Sequence, residues 1–418
     1  MRDEMKKVPR LRFRGFSEDW ELCKLGTLAE IVRGASPRPI QDSKWFDNTS
    51  DVGWLRISDV TEQNGRIYKL EQKLSKVGQE KTRVLRKPHL LLSIAATVGK
   101  PVVNYVNTGV HDGFLIFLNP LFDREFMFQW LEMFTPKWQK YGQPGSQLNL
   151  NSELVRNQEL RMPSTNEQEK IGMLFQYLDD TITLHQRKLD QLKELKKAYL
   201  QLMFPKKDER VPKLRFADFE DDWQLCKLGE VFNLENGFAF QSEYFTMKRT
   251  KSIVLTPGNV EIGGGFKNGK GRYYSSKGKI PKKFIFEPDD IFITMTDLTP
   301  SAQSLGYPAR IPNDEYQYLH NQRLGKITNF QCDCKFIFQL LCTERYHKYI
   351  VSTASGTTVK HSSVKKILNY KSSIPLKKEE QRIIGIFFES LDENINTNQN
   401  KLAILKDLKK SYLQNMFI

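Results

Sequence analysis

The feature that most constrains this chain is a stretch of nineteen residues that occurs twice. VPRLRFRGFSEDWELCKLG occupies residues 8–26 and VPKLRFADFEDDWQLCKLG occupies residues 211–229, with thirteen identical positions. A second repeat follows, in which residues 167–204 match residues 380–417 at 21 of 38 positions. Internal repeats of this kind indicate that one structural unit is built twice. The chain therefore predicts two similar halves.

The later repeat has the pattern of a long amphipathic helix. Its apolar residues recur at spacings of three, four or seven, which places them on one helix face. These residues are Leu178, Ile182, Leu189, Leu192, Leu195 and Tyr199 in the first copy, and Leu391, Ile395, Leu402, Leu405, Leu408 and Tyr412 in the second. We expect the two faces to pair as a coiled coil, the alternative being two separate helices. Similar units packed through equivalent faces favour a two-fold relation, which makes the helices antiparallel.

The ends of the first helix carry recognisable signals. Ser164 followed by Glu167 resembles a capping box, and Pro205 is expected to end the helix. The adjacent acids Asp179 and Asp180 predict a break inside it. We expect the first repeat to pack each domain onto these helices through Phe16, Trp20, Leu22 and Leu25, with Cys23 beside them.

The stretches between the repeated edges, residues 27–163 and 230–375, hardly resemble one another. Both contain short apolar runs separated by Gly, Pro and Asn, which predicts strands and turns. The predicted fold class is α+β, with two strand-rich domains, two long helices as an antiparallel coiled coil, and an internal pseudo-two-fold. The predicted segments are residues 1–163, 164–205, 206–375 and 376–418. Repeated edges and helices around two dissimilar stretches suit a protein with two different recognition domains.

The chain is basic, with 64 Lys and Arg against 49 Asp and Glu, a net charge of +15. Such an excess favours a polyanionic partner, the alternative being an indifferent basic surface. Two clusters are candidates for DNA phosphate contacts, with solvated loops as the alternative. They are Lys73, Lys76, Lys81, Arg83, Arg86 and Lys87, and Lys267, Lys270, Arg272, Lys277, Lys279, Lys282 and Lys283.

Each unrepeated stretch ends in a polar, glycine-containing segment, at residues 142–152 and 354–363. The side chains of these segments can hydrogen-bond to base edges, although turn and cap chemistry explains them equally well. The candidates for base contacts are Gln147, Asn149, Thr357, Thr358 and Lys360.

Motifs of catalysis are missing from the sequence. Gly99-Lys100 is followed by Pro101, so no phosphate-binding P-loop forms there. The Asn-Pro-Pro-aromatic motif of an amino-methyltransferase and the His pair of a zinc enzyme are both absent. We therefore expect no catalytic residue, no metal ligand and no cofactor bound by this chain.

Cellular location follows from two further patterns. The five cysteines are an odd number and do not resemble a disulfide framework. The sequence has no run of about 18 apolar residues, so a spanning helix is not expected. We expect a cytoplasmic protein with no membrane partner.

Together these motifs resemble the specificity (S) subunit of type I restriction–modification enzymes. No single motif is decisive, but their order and duplication are specific, and they span almost the whole chain. They are Phe16, Trp20 and Leu25-Gly26 with Phe219, Trp223 and Leu228-Gly229, Glu167-Gln168 and Ile171 with Glu380-Gln381 and Ile384, and the ends at 196–204 and 409–417.

The resemblance implies two target recognition domains, each of which reads one half of a split duplex DNA sequence. It also implies a non-catalytic chain that binds two modification (methyltransferase) subunits, which use S-adenosylmethionine to methylate adenine. Restriction subunits, which translocate DNA with ATP and Mg²⁺, complete such an enzyme. Because the two middle stretches differ, we expect the two half-sites to differ. The alternatives are a stand-alone DNA-modifying enzyme and a coiled-coil scaffold that binds no DNA.

Overall fold

The computed structural model describes residues 7–95, 97–138, 140, 150–207 and 209–418. The chain divides into two compact units. The first contains the chain up to Gln186 together with Asn400–Ile418, and the second is Arg187–Gln399. Each unit thus contains one strand-rich domain and part of each long helix. The four segments expected from the sequence assign the helices to segments of their own, whereas the compact units divide both helices.

In its described residues, the first unit has a 3-10 helix at Ser43–Trp45 and begins with ten strands and five short or medium α-helices. In chain order these are β1 (Glu21–Lys24), α1 (Leu25–Leu28), β2 (Glu30–Arg33), β3 (Gly53–Trp54), α2 (Ile57–Glu62), β4 (Arg66–Ile67), α3 (Lys76–Glu80), β5 (Arg83–Leu85), β6 (Leu90–Ser93), β7 (Pro101–Asn104), β8 (Thr108–Val110), β9 (Phe114–Leu118), α4 (Arg124–Trp138), α5 (Ser152–Arg156) and β10 (Glu159–Met162). The long helix α6 (Thr165–Leu202) follows.

The core of this domain is a five-stranded sheet in the order β2-β9-β6-β7-β4. Its side chains alternate between two hydrophobic clusters, because successive residues of a strand point to opposite faces. Leu90 and Leu92 join the cluster beneath the helices, whereas Leu91 joins the cluster on the other face. A smaller sheet, β3-β8-β5, pairs β3 parallel to β8. The continuous run LLLS thus forms a strand that is buried on both faces.

The second unit contains the remaining elements. They are β11 (Gln224–Lys227), β12 (Asn233–Asn236), β13 (Ser252–Val254), β14 (Arg272–Tyr273), β15 (Ile291–Thr294), β16 (Thr296–Asp297), β17 (Pro308–Arg310), β18 (Gln317–Leu319), β19 (Leu324–Thr328), α7 (Cys334–Leu341), α8 (Glu344–Thr353), β20 (Lys360–His361), α9 (Val364–Leu368), β21 (Lys371–Ile374) and α10 (Lys378–Met416). Four short 3-10 helices connect them, at Leu228–Glu230, Ser242–Tyr244, Pro257–Asn259 and Lys282–Phe284.

The two domains have the same scaffold, although their sequences hardly match. The larger sheet of the second unit, β12-β19-β15-β17, repeats β2-β9-β6-β7, and the smaller sheet again contains a parallel pair, β13 and β18. The same alternation recurs, since Ile291 and Ile293 face one cluster and Phe292 the other. The two larger sheets differ at one edge. In the first unit, β7 pairs with a further strand, β4. In the second unit, the equivalent strand β17 has a glycine-containing loop beside it, and the Gly265 N–H donates to the Pro308 carbonyl at 2.9 Å.

The repeated N-terminal edge anchors each domain to a helix. Arg12 donates two hydrogen bonds, both of 2.7 Å, to the carboxylate of Glu167 in the first turn of α6. In the second unit Arg215 binds Glu380 in the same way, at 2.7 and 2.8 Å. This pairing, which depends on a buried carboxylate in both units, explains why both stretches recur in the sequence.

One packing prediction for this edge is wrong. Trp20 and Leu25 are buried, but Leu22 is 46% exposed and its counterpart Leu225 is 49% exposed. Side chains of β1 alternate, so Leu22 points away while Cys23 lies against the core. Burial raises the pKa of the equivalent thiol, Cys226, to about 11, as suits a packing role.

The long helices pair antiparallel within each unit. In the first unit, the ring of Phe175 near the start of α6 stacks on Phe417 just beyond the end of α10, with centroids 5.7 Å apart. In the second, Tyr199 near the end of α6 packs against Phe387 near the start of α10. The predicted fold class, α+β domains on an antiparallel pair of long helices, is confirmed.

Two details of the helix prediction are wrong. α6 runs without a break through Asp179, because its carboxylate bonds to other elements and leaves the backbone intact. Leu195 is 42% exposed, whereas the other eleven predicted pairing residues are buried or half-buried. The inward positions follow a strict alternation of three and four, which at this turn selects Lys196. In α6 they are Phe175, Leu178, Ile182, His185, Leu189, Leu192, Lys196 and Tyr199, followed by Met203 just beyond its end. In α10 they are Phe388, Leu391, Ile395, Asn398, Leu402, Leu405, Lys409, Tyr412 and Met416.

Candidate DNA interface

The two predicted basic clusters lie at matching places on the two scaffolds. In the first unit the cluster runs from Lys73, which is bridged to Gly53 of β3, through α3 to the segment beyond β5. In the second it runs from the loop before β14, the neighbour of β13, to the 3-10 helix at Lys282–Phe284. The next residue, Ile285, is bridged to β18. Each cluster thus borders a small sheet that has the same parallel strand pair.

Most of these cations are exposed and unpaired in the described part of the chain. Only Lys73 and Lys267 are half-buried, and the other eleven are exposed. Carboxylates lie within 4 Å of two members, at 3.4 Å for Arg86 with Asp51 and 3.7 Å for Lys267 with Glu261. Uncompensated positive charge along one surface suits the contacts that DNA phosphates make.

One arginine in each cluster is held in place by the protein. The guanidinium of Arg272, an exposed residue, lies 4.0 Å from the ring centroid of Phe245 in a cation–π contact. In the first cluster, Arg83 donates through Nε to the Arg33 carbonyl at 2.8 Å. An arginine oriented in this way can bind phosphate or guanine with two parallel hydrogen bonds.

The predicted base-contacting residues of the second domain share a hairpin. The backbones of Ser355 and His361 exchange two hydrogen bonds of 2.9 Å, and Thr357 and Thr358 are exposed at the tip. Lys360, half-buried, lies in β20 opposite Asp297 of β16. The structure thus groups these three residues on a segment distinct from the basic cluster. Gln147 and Asn149 lie outside the described residues.

Asp297 supports this hairpin and was missed in the sequence. Its carboxylate accepts four hydrogen bonds of 2.7–2.8 Å from the N–H and hydroxyl groups of Thr299 and Ser304. Burial raises the pKa of Asp297, but these bonds outweigh burial and lower it below its ordinary value. The spacing Asp297-Leu298-Thr299, which favours an Asx turn, was the available signal.

In the first domain, an aspartate between β8 and β9 holds an exposed arginine that the sequence also did not reveal. Asp112 accepts 2.7 Å and 2.8 Å hydrogen bonds from Ser36 and Arg38, and its backbone carbonyl accepts one from Arg33. Despite burial, these contacts lower the pKa of Asp112. The Arg38 side chain is 73% exposed, so its remaining donors are available to a ligand.

Neither a metal cluster nor a membrane helix occurs in the described ranges. No three or more His, Cys, Asp or Glu residues are placed to share an ion there. None of the helices there has the length and apolar character needed to cross a bilayer.

Two domains of one scaffold, each with its own basic cluster and both anchored to paired helices, define a class of protein built to hold two DNA-reading domains. A family model described as "Type I restriction modification DNA specificity domain" matches residues 17–194 and again residues 220–407. The chain belongs to this family and carries its domain twice. It is a specificity subunit, a non-catalytic component, as the resemblance in its motifs predicted.

Curated relatives agree along the chain. The type I restriction enzyme MjaVIII specificity subunit of Methanocaldococcus jannaschii is 20% identical over 411 residues, covering 95% of this chain and 91% of the relative. The EcoAI specificity subunit of Escherichia coli is 27% identical over 232 residues, covering 54% and 37%.

Solved structures share the fold. The S subunit of a type I restriction–modification system from M. genitalium superimposes with a TM-score of 0.66 at 15% identity, covering 98% of this chain and 99% of that one. A chain from a study of complex assembly and conformational transition of the type I R-M system gives 0.50 at 16% identity, covering 94% and 96%.

Proposed function

We propose that the protein binds an asymmetric, bipartite duplex DNA target, with one half-site for each domain. The observation that carries this proposal is the pair of basic clusters at matching places on two scaffolds whose sequences differ. The clusters supply phosphate contacts that position each domain, and the differing loops supply base contacts. Because the loops differ, the half-sites differ.

The partners in this proposal are two modification subunits that methylate adenine with S-adenosylmethionine and restriction subunits that use ATP and Mg²⁺, all in the cytoplasm. Support comes from apolar side chains that are exposed at equivalent positions of both units. The pairs are Val8 and Val211, Leu11 and Leu214, Leu22 and Leu225, and Met173 and Ile386. Exposed apolar side chains at equivalent positions of the two units suit two copies of one partner.

An exchange of recognition domains tests the proposal. In a host that carries the complete system, residues 27–163 are replaced by the equivalent stretch of a relative, and methylated adenines are mapped across the genome. One half-site should change while the other is retained. The matched control exchanges residues 230–375 and should alter only the other half-site. A target that keeps both half-sites in either exchange contradicts the proposal.

A further inference from the structure

An exposed arginine of the first domain is oriented by an acid that lies on a different loop. Arg38 lies between β2 and the 3-10 helix at Ser43–Trp45, and Asp112 lies between β8 and β9. One oxygen of the Asp112 carboxylate accepts from Arg38 Nη2 at 2.8 Å, and the other accepts from the Ser36 hydroxyl at 2.7 Å. Within the described residues Arg38 makes no other side-chain hydrogen bond, and its side chain is 73% exposed. The acid therefore directs the guanidinium and leaves most of its donors unused.

The loop that carries Arg38 is fixed to the rest of the domain on both sides. Before the arginine, the Ala35 carbonyl accepts from the Thr82 hydroxyl at 2.6 Å. After it, the Pro39 carbonyl accepts from the indole N–H of Trp45 at 2.9 Å. A side chain on a fixed loop loses less conformational entropy on binding than one on a free loop. Such a loop therefore suits the recognition of one defined group.

The same loop borders the first basic cluster. Arg83, a member of that cluster, donates through Nε to the carbonyl of Arg33, and Arg33 donates through Nε to the Asp112 carbonyl at 2.6 Å. All three arginines, Arg33, Arg38 and Arg83, are exposed. They are thus linked through Asp112 and the end of β2. Arg38 lies beside a surface that suits a DNA backbone, so we expect base edges to come within its reach.

Charge and orientation favour a base over a phosphate as the group that Arg38 binds. Among the cations of the first cluster, Arg86 alone has a carboxylate within 4 Å in the described part of the chain. The charge of Arg38, by contrast, is compensated by Asp112 at 2.8 Å, which weakens its attraction for an anion. What remains is a planar fork of donors with a fixed direction. Guanine presents two acceptors, O6 and N7, on its major-groove edge, and this fork matches them with two hydrogen bonds.

The second domain has no counterpart of this pair in its described residues. The loop covers residues 34–42 in the first domain and the shorter stretch 237–241 in the second, which contains no arginine. Gln322 takes the place of Asp112, because each follows the residue whose carbonyl lies against the first glycine of its loop. The pair thus belongs to the features in which the two domains differ, as a determinant of one half-site would.

We propose that Arg38 reads a guanine in the half-site bound by the first domain, and that Asp112 orients it for this contact. This inference rests on the proposed function and adds to it one residue and one base of one half-site. Arg38 is the specificity-determining residue. Asp112 is a positioning residue, which acts through Arg38 and needs no contact with DNA.

Binding measurements that combine protein and DNA substitutions test this pair. The methylation map of the wild type and the exchange of residues 27–163 identify the first half-site. The complete complex, with the wild-type chain or with Arg38→Ala, is titrated with duplexes in which each G·C pair of that half-site is replaced in turn by A·T. One replacement should weaken wild-type binding roughly 5- to 150-fold, the cost of one lost bidentate contact. Arg38→Ala should bind the original target more weakly by a similar factor and should be insensitive to that replacement.

Two further variants separate base recognition from charge and from stability. Lys81→Ala, the matched control, removes a cation of the adjoining cluster. It should weaken binding to every duplex by the same factor and lower the salt dependence by about one unit of slope. Asp112→Asn keeps the size of the side chain but leaves one acceptor oxygen where Asp112 has two. It should reduce the preference at the same base pair and at no other, which a general loss of stability would not do.

Three results would overturn the reading of guanine by Arg38 while the proposed function stands. They are a first half-site without a G·C pair, an Arg38→Ala variant that weakens binding to all duplexes equally, and one that binds all of them as the wild type does. An unchanged preference in Asp112→Asn would overturn the role of Asp112. If the wild-type map contains no bipartite sequence, the proposed function itself fails.

Discussion

The two units differ at the joint between domain and helices, where the recognition domain packs against the long helices. In the first, Arg66 of β4 fills the joint and binds Glu125 and Asp179, with its side chain 12% exposed. In the second, the corresponding sheet edge has no such strand, and a cavity of about 780 Å³ lies between the domain and the helices. The loop beside it contains Gly263, Gly264 and Gly265, all with positive φ.

This difference separates what is repeated from what is free to vary. The contacts common to both units, such as Arg12–Glu167 with Arg215–Glu380 and the Lys–Asp pair that joins the long helices in each unit, hold the frame formed by the repeated edges and these helices. Contacts present in one unit only, such as those of Arg66, belong to the individual domain. A frame that tolerates different joints can carry domains of different sequence.

The largest effect is expected from the anchors of the repeated edge. Glu380→Ala strands Arg215 and Trp223, whose indole donates to this carboxylate at 3.1 Å, and should cost about 3–5 kcal/mol of unfolding free energy. Glu167→Ala strands Arg12 alone, since within the described residues both hydrogen bonds to that carboxylate come from this arginine, and it should cost less. Denaturant unfolding of the two variants measures both. Equal losses would show that Trp223 adds nothing to the second anchor.

Arg66, which fills the joint of the first unit, should contribute more to the free energy of unfolding than Arg310, its nearest counterpart in the second unit. Arg66→Met leaves the Glu125 carboxylate without its cation and should cost about 2–4 kcal/mol. Arg310→Met is the matched control, because Glu389 keeps Lys335 as a partner and Arg310 is 30% exposed. Its loss should stay below about 1 kcal/mol. Thermal or denaturant unfolding compares the two, and a larger loss for Arg310→Met would reverse the assignment.

The shared scaffold predicts equal sensitivity at two glycines. A Cβ at Gly34 would lie 2.1 Å from the His111 carbonyl oxygen, and one at Gly237 would lie 2.2 Å from that of Asn321. Alanine at either position should therefore destabilise by about 1–3 kcal/mol through overpacking. Gly258→Ala, whose nearest contact is an ordinary 3.5 Å, should be nearly neutral. Unfolding midpoints of the three variants check this, and unequal losses at Gly34 and Gly237 would argue against a common scaffold.

The smallest stability effect should depend on pH. The folded-state pKa of Asp297 lies below its ordinary value, so its contribution is complete above about pH 4 and is lost as pH falls through the lowered pKa. Asp297→Asn should cost about 1–2 kcal/mol at neutral pH and progressively less in acid. Asp112→Asn, at a more exposed carboxylate, should follow the same trend with a smaller amplitude. Unfolding free energies between pH 2 and 7 measure both, and a constant difference across that range would contradict the assignment.

The sequence predicted the long helices and the repeated edge better than the two strand-rich domains between them. The helices, their pairing and the repeated edge follow from identities such as Trp20 with Trp223. The common scaffold of the two domains was not predictable in this way, because strands conserve the direction of side chains and not their identity. Leu90-Leu91-Leu92 and Ile291-Phe292-Ile293 share only an alternation of faces.

Polar residues inside the frame were also missed, for a physical reason. Lys196 and Lys409 interrupt an apolar pattern, so a search for apolar spacing selects Leu195 and Leu408 instead. The strict alternation of three and four, together with identity between the two copies, was the signal that identified the lysines. The basic clusters were predictable because exposed charge needs no tertiary partner, whereas Arg38 depends on Asp112, 74 residues away.

A footprint on the bound target tests most directly that two separately built domains read two half-sites. The complete complex is compared with two variants, one with Lys76, Lys81 and Arg83 replaced by Gln, and one with Lys277, Lys279 and Lys282 replaced by Gln. Backbone protection should weaken over one half-site in the first variant and over the other in the second, with each substitution lowering the salt dependence by about one unit of slope. Weakening over the same half-site in both variants, or evenly over the whole target, would contradict the account.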